Sequence, residues 1–329
     1  DIYYIYTTLV KIDEANIKYV PIRQGFGEGL LEAGEKNVSV VALCADLTDS
    51  TKISLFKEKF PERFFEVGIT EQNMSGVASG MARMGKIPFM ASYAMFSPGR
   101  NWEQIRTTIC YNDVNVKIVG AHAGVSVGPD GGTHQAIEDI ALMRILPRMT
   151  VVVPCDSIEA KKATMAIAER NGATYIRLAR EKSAVVTTDV TPFEIGKAYI
   201  IFDSGIKEGT KKVGIIACGT LVYQAMLAAQ KLDEEGYEVA VLNLHTIKPF
   251  DGESVLAFAK RFEKLVTAEE HQVAGGMGSA VAEFLTEHNP VLIKFIGVHD
   301  QFGQSGTQEE LFKHYKLTAE DIIEVTKSF

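Results

Sequence analysis

The chain has 329 residues, 46% of them hydrophobic, which is enough apolar material for two ordinary cores. Its net charge of −8 is modest and the acidic and basic residues are interleaved, which argues against nucleic acid or an anionic membrane as the main partner. No apolar run approaches the roughly eighteen residues that a membrane span needs.

Residues 1–22 form an N-terminal extension. Its start, "DIYYIYTTLVKIDEA", is apolar but has neither a basic beginning nor a small-residue cleavage site, so it does not read as a signal peptide. From 23 to 182 short β-rich runs alternate with helical stretches. The runs "VSVVAL" (38–43), "IPFMASY" (87–93), "VKIVGA" (116–121), "TVVVP" (150–154) and "TYIRLA" (174–179) are continuously apolar, as strands buried on both faces are. Between them "GFGEGLLEAGEK", "TEQNMSGVASGMARMG", "GRNWEQIRTTICY" and "DSIEAKKATMAIAERNG" read as helices, two of them stopped by Gly85 and Gly172. Such alternation predicts an α/β domain with a parallel sheet covered on both sides. Residues 183–212, broken by Pro, Gly and Thr, read as a linker. The alternation resumes over 213–329 through "VGIIACG", "YQAMLAAQKLDEEG", "YEVAVLNL", "KLVTAEE", "MGSAVAEFLTEH" and "VLIKFIGV", a second and smaller α/β domain.

Cys44, Cys110, Cys155 and Cys218 are far apart, with no C-x-x-C and no nearby His at ligand spacing, which fits free thiols in a reducing cytoplasm. Open parallel sheets bind ligands at the carboxyl ends of their strands, so the loops after strands carry the functional expectation. Four stand out: "ADLTDST" (45–51), "GITEQNM" (68–74), "SYAMFSPGR" (92–100) and "AHAGVSVGPDGGTHQAIED" (121–139). In the last, His122 and His134 bracket Asp130 in a Gly-rich loop. One histidine there could be a solvated loop residue; two with an aspartate in one strand-terminal loop point to chemistry. Their spacing is not a usual zinc pattern.

The segments "ERFFEVGITEQNM", "PGRNWEQIR", "AHAGVSVGPDGGTHQAIEDIALMR" and "LNLHTIKPFD" together resemble the C-terminal part of transketolase, over about residues 23–328. The resemblance implies that 23–182 is a pyrimidine-binding domain of the thiamin-diphosphate fold and 213–329 the transketolase C-terminal domain. The G-D-G segment with a later Asn, which in the family holds the diphosphate and its metal, has no good counterpart here. The resemblance is therefore to the C-terminal subunit of a split transketolase, a magnesium- and thiamin-diphosphate-dependent transferase of the pentose phosphate pathway type. It implies an N-terminal partner subunit that holds the diphosphate and the Mg2+ or Ca2+ ion, an α2β2 heterotetramer, and sugar phosphates as substrates. The related 1-deoxyxylulose-5-phosphate synthases, the dehydrogenase beta chains and a non-catalytic assembly subunit are the alternatives.

Carried over residue by residue, the resemblance gives Glu71 to the far ring nitrogen of the coenzyme's aminopyrimidine. An acid there favours the imino form and makes the coenzyme's own exocyclic amine the base that deprotonates the thiazolium carbon. The flanks "FFEVGI" and "MSGVA" are expected to surround Glu71 with apolar groups. On position alone, Glu71 could instead be an acid placed at a helix N-terminus. Phe96 and Tyr93 match positions that stack on the pyrimidine, Tyr93 where Phe is usual, although an aromatic pair at a strand end is also ordinary core. Asp46 matches a position at the cofactor end of its loop. His134 would serve the reacting carbonyl and Asp130 a sugar hydroxyl. His122, Arg23, Ser50 and Arg180 would hold the distal phosphate, with Arg177 competing for the place of Arg180. The "HQVAGGMGSAV" stretch superficially suggests a dinucleotide loop, and it is read instead as tight packing at a subunit contact, with His271 lining it.

Overall fold

The computed structural model describes residue 12 and residues 15–329; most of the N-terminal extension therefore lies outside the described residues. A seven-stranded sheet runs, edge to edge, Thr246–Lys248, Thr150–Val152, Thr174–Arg177, Lys117–Ala121, Ile87–Tyr93, Val40–Cys44 and Phe64–Glu66. All neighbours are parallel except Thr246–Lys248, which reaches back from the second half of the chain and pairs antiparallel with Thr150–Val152. A five-stranded sheet runs Leu292–Val298, Lys264–Gln272, Lys212–Ala217, Glu238–Asn243 and Tyr199–Asp203, again parallel except at one edge. The α/β class and the mostly parallel sheets are as expected. The strand Tyr199–Asp203 lies within the stretch read as linker, and Tyr19–Pro21 pairs antiparallel with Lys182–Ala184.

Central strands are buried along their whole length, as their unbroken apolar runs predict. The helix Ile22–Lys36 is less obvious, because Gly25, Gly27, Gly29 and Gly34 make it a poor helix on propensity. Its glycines instead permit close packing on helix Ser157–Glu169, where a Cβ at Gly25 would lie 1.7 Å from the Ser157 carbonyl oxygen. Gly25→Ala should therefore push these helices apart and lower the unfolding free energy by about 1–3 kcal/mol, the usual cost of overpacking. An unchanged denaturant midpoint would contradict this. The stretch read as one helix over 99–111 is a short turn, Trp102–Gln104, that continues into a π-helical segment, Ile105–Tyr111.

The halves share an apolar cluster that runs from Leu43, Ile118 and Val151 to Leu242, Phe258 and Phe262. Two buried polar networks cross the same boundary. In one, Arg177 pairs with Asp139 at 2.8 Å and donates to the Ala136 and Glu270 carbonyls. In the other, Glu159 of helix Ser157–Glu169 accepts hydrogen bonds from the Tyr199 hydroxyl and the Asn243 amide on one oxygen, and from the Cys155 N–H on the other.

Burial, with Asp156 adding its charge, pushes the Glu159 carboxyl from about 4.5 up to about 7. A raised folded-state pKa gives stability that is present at low pH and is lost as pH rises through 7. Glu159→Gln cannot ionise. Between pH 5 and pH 8 its unfolding free energy should therefore gain on that of the wild type by about 2–3 kcal/mol, read by denaturant unfolding of both chains. A difference that does not change with pH would contradict this.

Candidate active site

The strand order reverses beside Val40–Cys44: the chain goes next to Phe64–Glu66 on one side, then to Ile87–Tyr93 on the other. Crevices form at such points outside the carboxyl ends of the strands. The loops singled out in the sequence follow those ends.

Glu71 opens helix Glu71–Arg83 and is only 1% exposed. Its surroundings are not simply apolar, as its flanks suggest. Ser92, near the end of the neighbouring strand, donates to Oε1 at 3.1 Å, and Arg100 donates to Oε2 at 3.0 Å. Asn101 holds the start of the helix by donating to the Glu71 carbonyl and the Ser75 hydroxyl. The acid is thus buried and fixed, and its charged partner, Arg100, is 49% exposed. Arg100 also lies 4.9 Å over the Phe96 ring. Neither contact of Glu71 is visible in sequence, since each partner comes from a different element.

Tyr93 and Phe96 stand nearly parallel, with centroids 6.1 Å apart and planes at 16°. Tyr93 stacks on His122 at 3.8 Å, and the His134 ring meets both aromatics edge-on, at 6.3 Å from Tyr93 and 5.5 Å from Phe96. The structure thus brings four of the expected site residues into one ring cluster. The Thr133 hydroxyl lies 3.0 Å from His134 Nδ1.

His122 is buried and its backbone has φ +54, a region that residues with a Cβ seldom occupy. Such strain concentrates at ligand sites. Arg23 sends one N–H to the Ser50 carbonyl at 2.6 Å and approaches His122 Nε2 at 3.2 Å. A guanidinium can only donate, so Nε2 is the bare nitrogen and the proton sits on Nδ1. That Nδ1 is buried without a hydrogen-bond partner among the described residues, as is Arg23 Nε. Burial, helped by Arg23 and Arg180, holds the imidazole pKa down at about 3, so His122 is a neutral donor at physiological pH. Burial and the charge of Arg180 likewise lower the pKa of Arg23. Two guanidiniums and a donor with nothing to bind make an anion-accepting corner. Arg180 donates to the Val127 carbonyl at 2.6 Å and pairs with Glu181. Arg177, the competing candidate, is committed to Asp139 inside the protein.

Ser50 meets Arg23 through its backbone, and Asp130 is exposed at the end of the turn Val125–Asp130. Asp46 is also exposed and has φ +59, with its N–H bound to Glu66 Oε1. Glu66, which sequence reading passed over, also accepts from the Gly68 N–H and the Thr48 hydroxyl, tying loop 45–51 to the entry of the Glu71 helix. No three His, Cys, Asp or Glu side chains among the described residues stand together as metal ligands.

In the second half, the glycines of "GGMG" do not frame a ligand. The N–H groups of Met277 and Gly278, which open helix Met277–His288, are taken by the carboxylate of Glu269 from the adjacent strand. His271 does not line a surface either. It is fully buried between the two halves, with Nδ1 2.7 Å from the Gln272 carbonyl oxygen and its pKa lowered to about 4 by burial. No helix among the described residues is long and apolar enough to cross a membrane, and all four cysteines are free and buried.

Comparison with known proteins places the two halves in one family. Residues 18–185 match the family model "Transketolase, pyrimidine binding domain" and residues 204–322 match "Transketolase, C-terminal domain". A putative transketolase C-terminal section from Methanocaldococcus jannaschii is 42% identical, over 92% of this chain and 94% of that one. A 6-deoxy-6-sulfo-D-fructose transketolase subunit from a Clostridium species is 40% identical, over 92% of each chain. The solved structure of a split-gene transketolase, described as an inactive β4 tetramer, superposes with a TM-score of 0.85 at 42% identity, covering 94% of this chain and 98% of that one. With both domains matched in order and these relatives aligned almost end to end, the chain belongs to the transketolase family.

Proposed function

We propose that the chain is the C-terminal subunit of a two-chain, thiamin-diphosphate-dependent transketolase that moves a two-carbon ketol unit from a ketose phosphate to an aldose phosphate. The observation that carries this reading is Glu71: a buried acid just past a strand end, braced by Ser92 and linked through Arg100 to the ring of Phe96, which stands parallel to that of Tyr93. These residues fit the aminopyrimidine half of the coenzyme, which offers a flat ring and a nitrogen for an acid to meet. The diphosphate and its Mg2+ or Ca2+ belong, on this reading, to an N-terminal partner subunit. The M. jannaschii relative is itself named a C-terminal section, and the split-gene structure is described as inactive in its β4 form.

When bound, the coenzyme supplies the carbon nucleophile that carries the ketol unit. Glu71 would hold a proton at the pyrimidine nitrogen, with Ser92 keeping its Oε1 in place and the half-exposed Arg100 beside its Oε2. Phe96 and Tyr93 orient the ring and keep water from it. His134 hydrogen-bonds the reacting carbonyl oxygen, and Asp130 takes a sugar hydroxyl. Arg23, His122 through Nδ1–H, Arg180 and the Ser50 segment receive the distal phosphate, with Asp46 closing the cofactor end of that loop. The assembly is read as a cytoplasmic α2β2 heterotetramer.

The test is to mix the purified chain with a candidate N-terminal subunit, thiamin diphosphate and Mg2+, and to assay ketol transfer. Transfer by the mixture and none by this chain alone is the expected result; transfer by this chain without a partner overturns the reading.

A further inference from the structure

The loop that carries Asp130 and His134 does not stand by itself. Its Gln135 side chain is buried, and Nε2 reaches three carbonyl oxygens: Val125 at 3.0 Å, Gly128 at 3.2 Å and Gln304 at 2.9 Å. The first two belong to the turn that ends in Asp130. The third belongs to a loop of the other half of the molecule, residues 300–306.

The two loops touch at backbone distance. A Cβ at Gly132 would lie 2.5 Å from the Gly303 carbonyl oxygen, one at Gly131 would lie 2.7 Å from the Ser305 hydroxyl, and one at Gly303 would lie 1.8 Å from Gln135 Oε1. Loop 300–306 is in turn fixed to its own half. Gln272 donates to the Gln301 carbonyl and accepts from the Asp300 N–H, and the Tyr315 hydroxyl donates to the Phe302 carbonyl. Below the turn, Glu270 accepts from the Ser126 N–H at 2.5 Å and from the Thr220 hydroxyl at 2.6 Å.

We infer that Gln135 and loop 300–306 form a latch by which the C-terminal domain positions Asp130 and His134 for the sugar. The assignment rests on the proposed function for what is positioned, whereas the latch itself stands on contacts within this chain. Gln135 is a positioning residue. Its amide hydrogens are shared among acceptors on both sides of the domain boundary, so one side chain sets the distance between the catalytic loop and the second half of the chain. The glycines on both sides are what let the backbones approach this closely.

Two variants test it from opposite sides. Gln135→Met keeps the length and apolar bulk but removes the donors; Gly303→Ala wedges a methyl group against the amide. Hydrogen exchange is read first, on this chain by itself, at the Gly131 and His134 amides, which bond to the Gly128 and Gly131 carbonyls within the loop. Exchange there should rise about tenfold or more in both variants, with strand Lys117–Ala121 unchanged. In the reconstituted complex both variants should then lose about a hundredfold in kcat/KM for the ketose phosphate, the scale of a misplaced reacting group, with thiamin diphosphate affinity unchanged.

A rise in exchange spread over the whole chain, or no rise at Gly131 and His134, would overturn the latch. A local rise with kcat/KM intact would overturn its positioning role. Because the exchange is measured without partner or coenzyme, it decides the latch independently of whether ketol transfer is the reaction.

Discussion

Glu71→Ala should reduce ketol transfer by the reconstituted complex by about three to four orders of magnitude, at the upper end of what a single proton-holding group contributes. The chain should nonetheless fold and assemble. Removing the carboxylate leaves Arg100 without its partner, but that guanidinium is half exposed and regains water, so little stability is lost. The Ser92 hydroxyl loses an acceptor inside the protein, a cost of about 1–3 kcal/mol that a domain of this size tolerates. The loss therefore falls on turnover, with the substrate KM nearly unchanged, because the phosphate corner of Arg23, His122 and Arg180 is untouched. Glu71→Gln separates charge from shape. It keeps the volume and can donate a hydrogen bond, but it cannot exchange a proton, and it should be nearly as impaired as the alanine variant. A subunit with a purely structural role would show full turnover in both.

Arg177→Leu should cost about 3–5 kcal/mol of unfolding free energy, the scale of breaking a buried ion pair on one side. The substitution strands the Asp139 carboxylate, which is buried and keeps only the Tyr175 hydroxyl, at 2.7 Å, as a donor among the described residues. It also leaves the Ala136 and Glu270 carbonyls without the guanidinium that joins the two halves. The double variant Arg177→Leu with Asp139→Leu should recover much of that loss, because a buried pair replaced by apolar side chains leaves no unpaired charge. Chemical denaturation of the single and double variants checks both statements. A single variant within 1 kcal/mol of the wild type would contradict the stabilising role given to the pair. Arg180→Leu, by contrast, should leave stability nearly unchanged and weaken sugar-phosphate binding.

This contrast between two arginines three positions apart shows what the sequence could and could not disclose. The strand Thr174–Arg177 is apolar on both faces, so the pattern assigns no side to a charge at its end, and only the fold reveals Asp139 opposite. The central strands were legible because burial on both faces demands unbroken apolar runs, as in Val40–Cys44 and Ile87–Tyr93. The edge strands Phe64–Glu66, Tyr199–Asp203 and Thr246–Lys248 were not, since short edge strands owe their conformation to a neighbour rather than to their own pattern. The candidate site divides in the same way. Residues at or just past strand ends, such as Tyr93 and His122, are readable by position. Their partners are not: Arg100 reaches Glu71 from another element, Gln135 meets Gln304 across 169 positions, and Glu66 fixes two loops through backbone N–H groups. The "GGMG" stretch hides its partner in the same way: the anion at that helix start is the chain's own Glu269.

The most direct measurement is the structure of the reconstituted two-subunit complex with thiamin diphosphate and Mg2+ bound. The account predicts a Glu71 carboxyl oxygen within about 3 Å of the pyrimidine ring nitrogen, at hydrogen-bond distance, with the diphosphate and the cation ligated by the partner. A complex in which this chain encloses the diphosphate itself, or in which Glu71 still holds Arg100 at a distance from the ring, would contradict it.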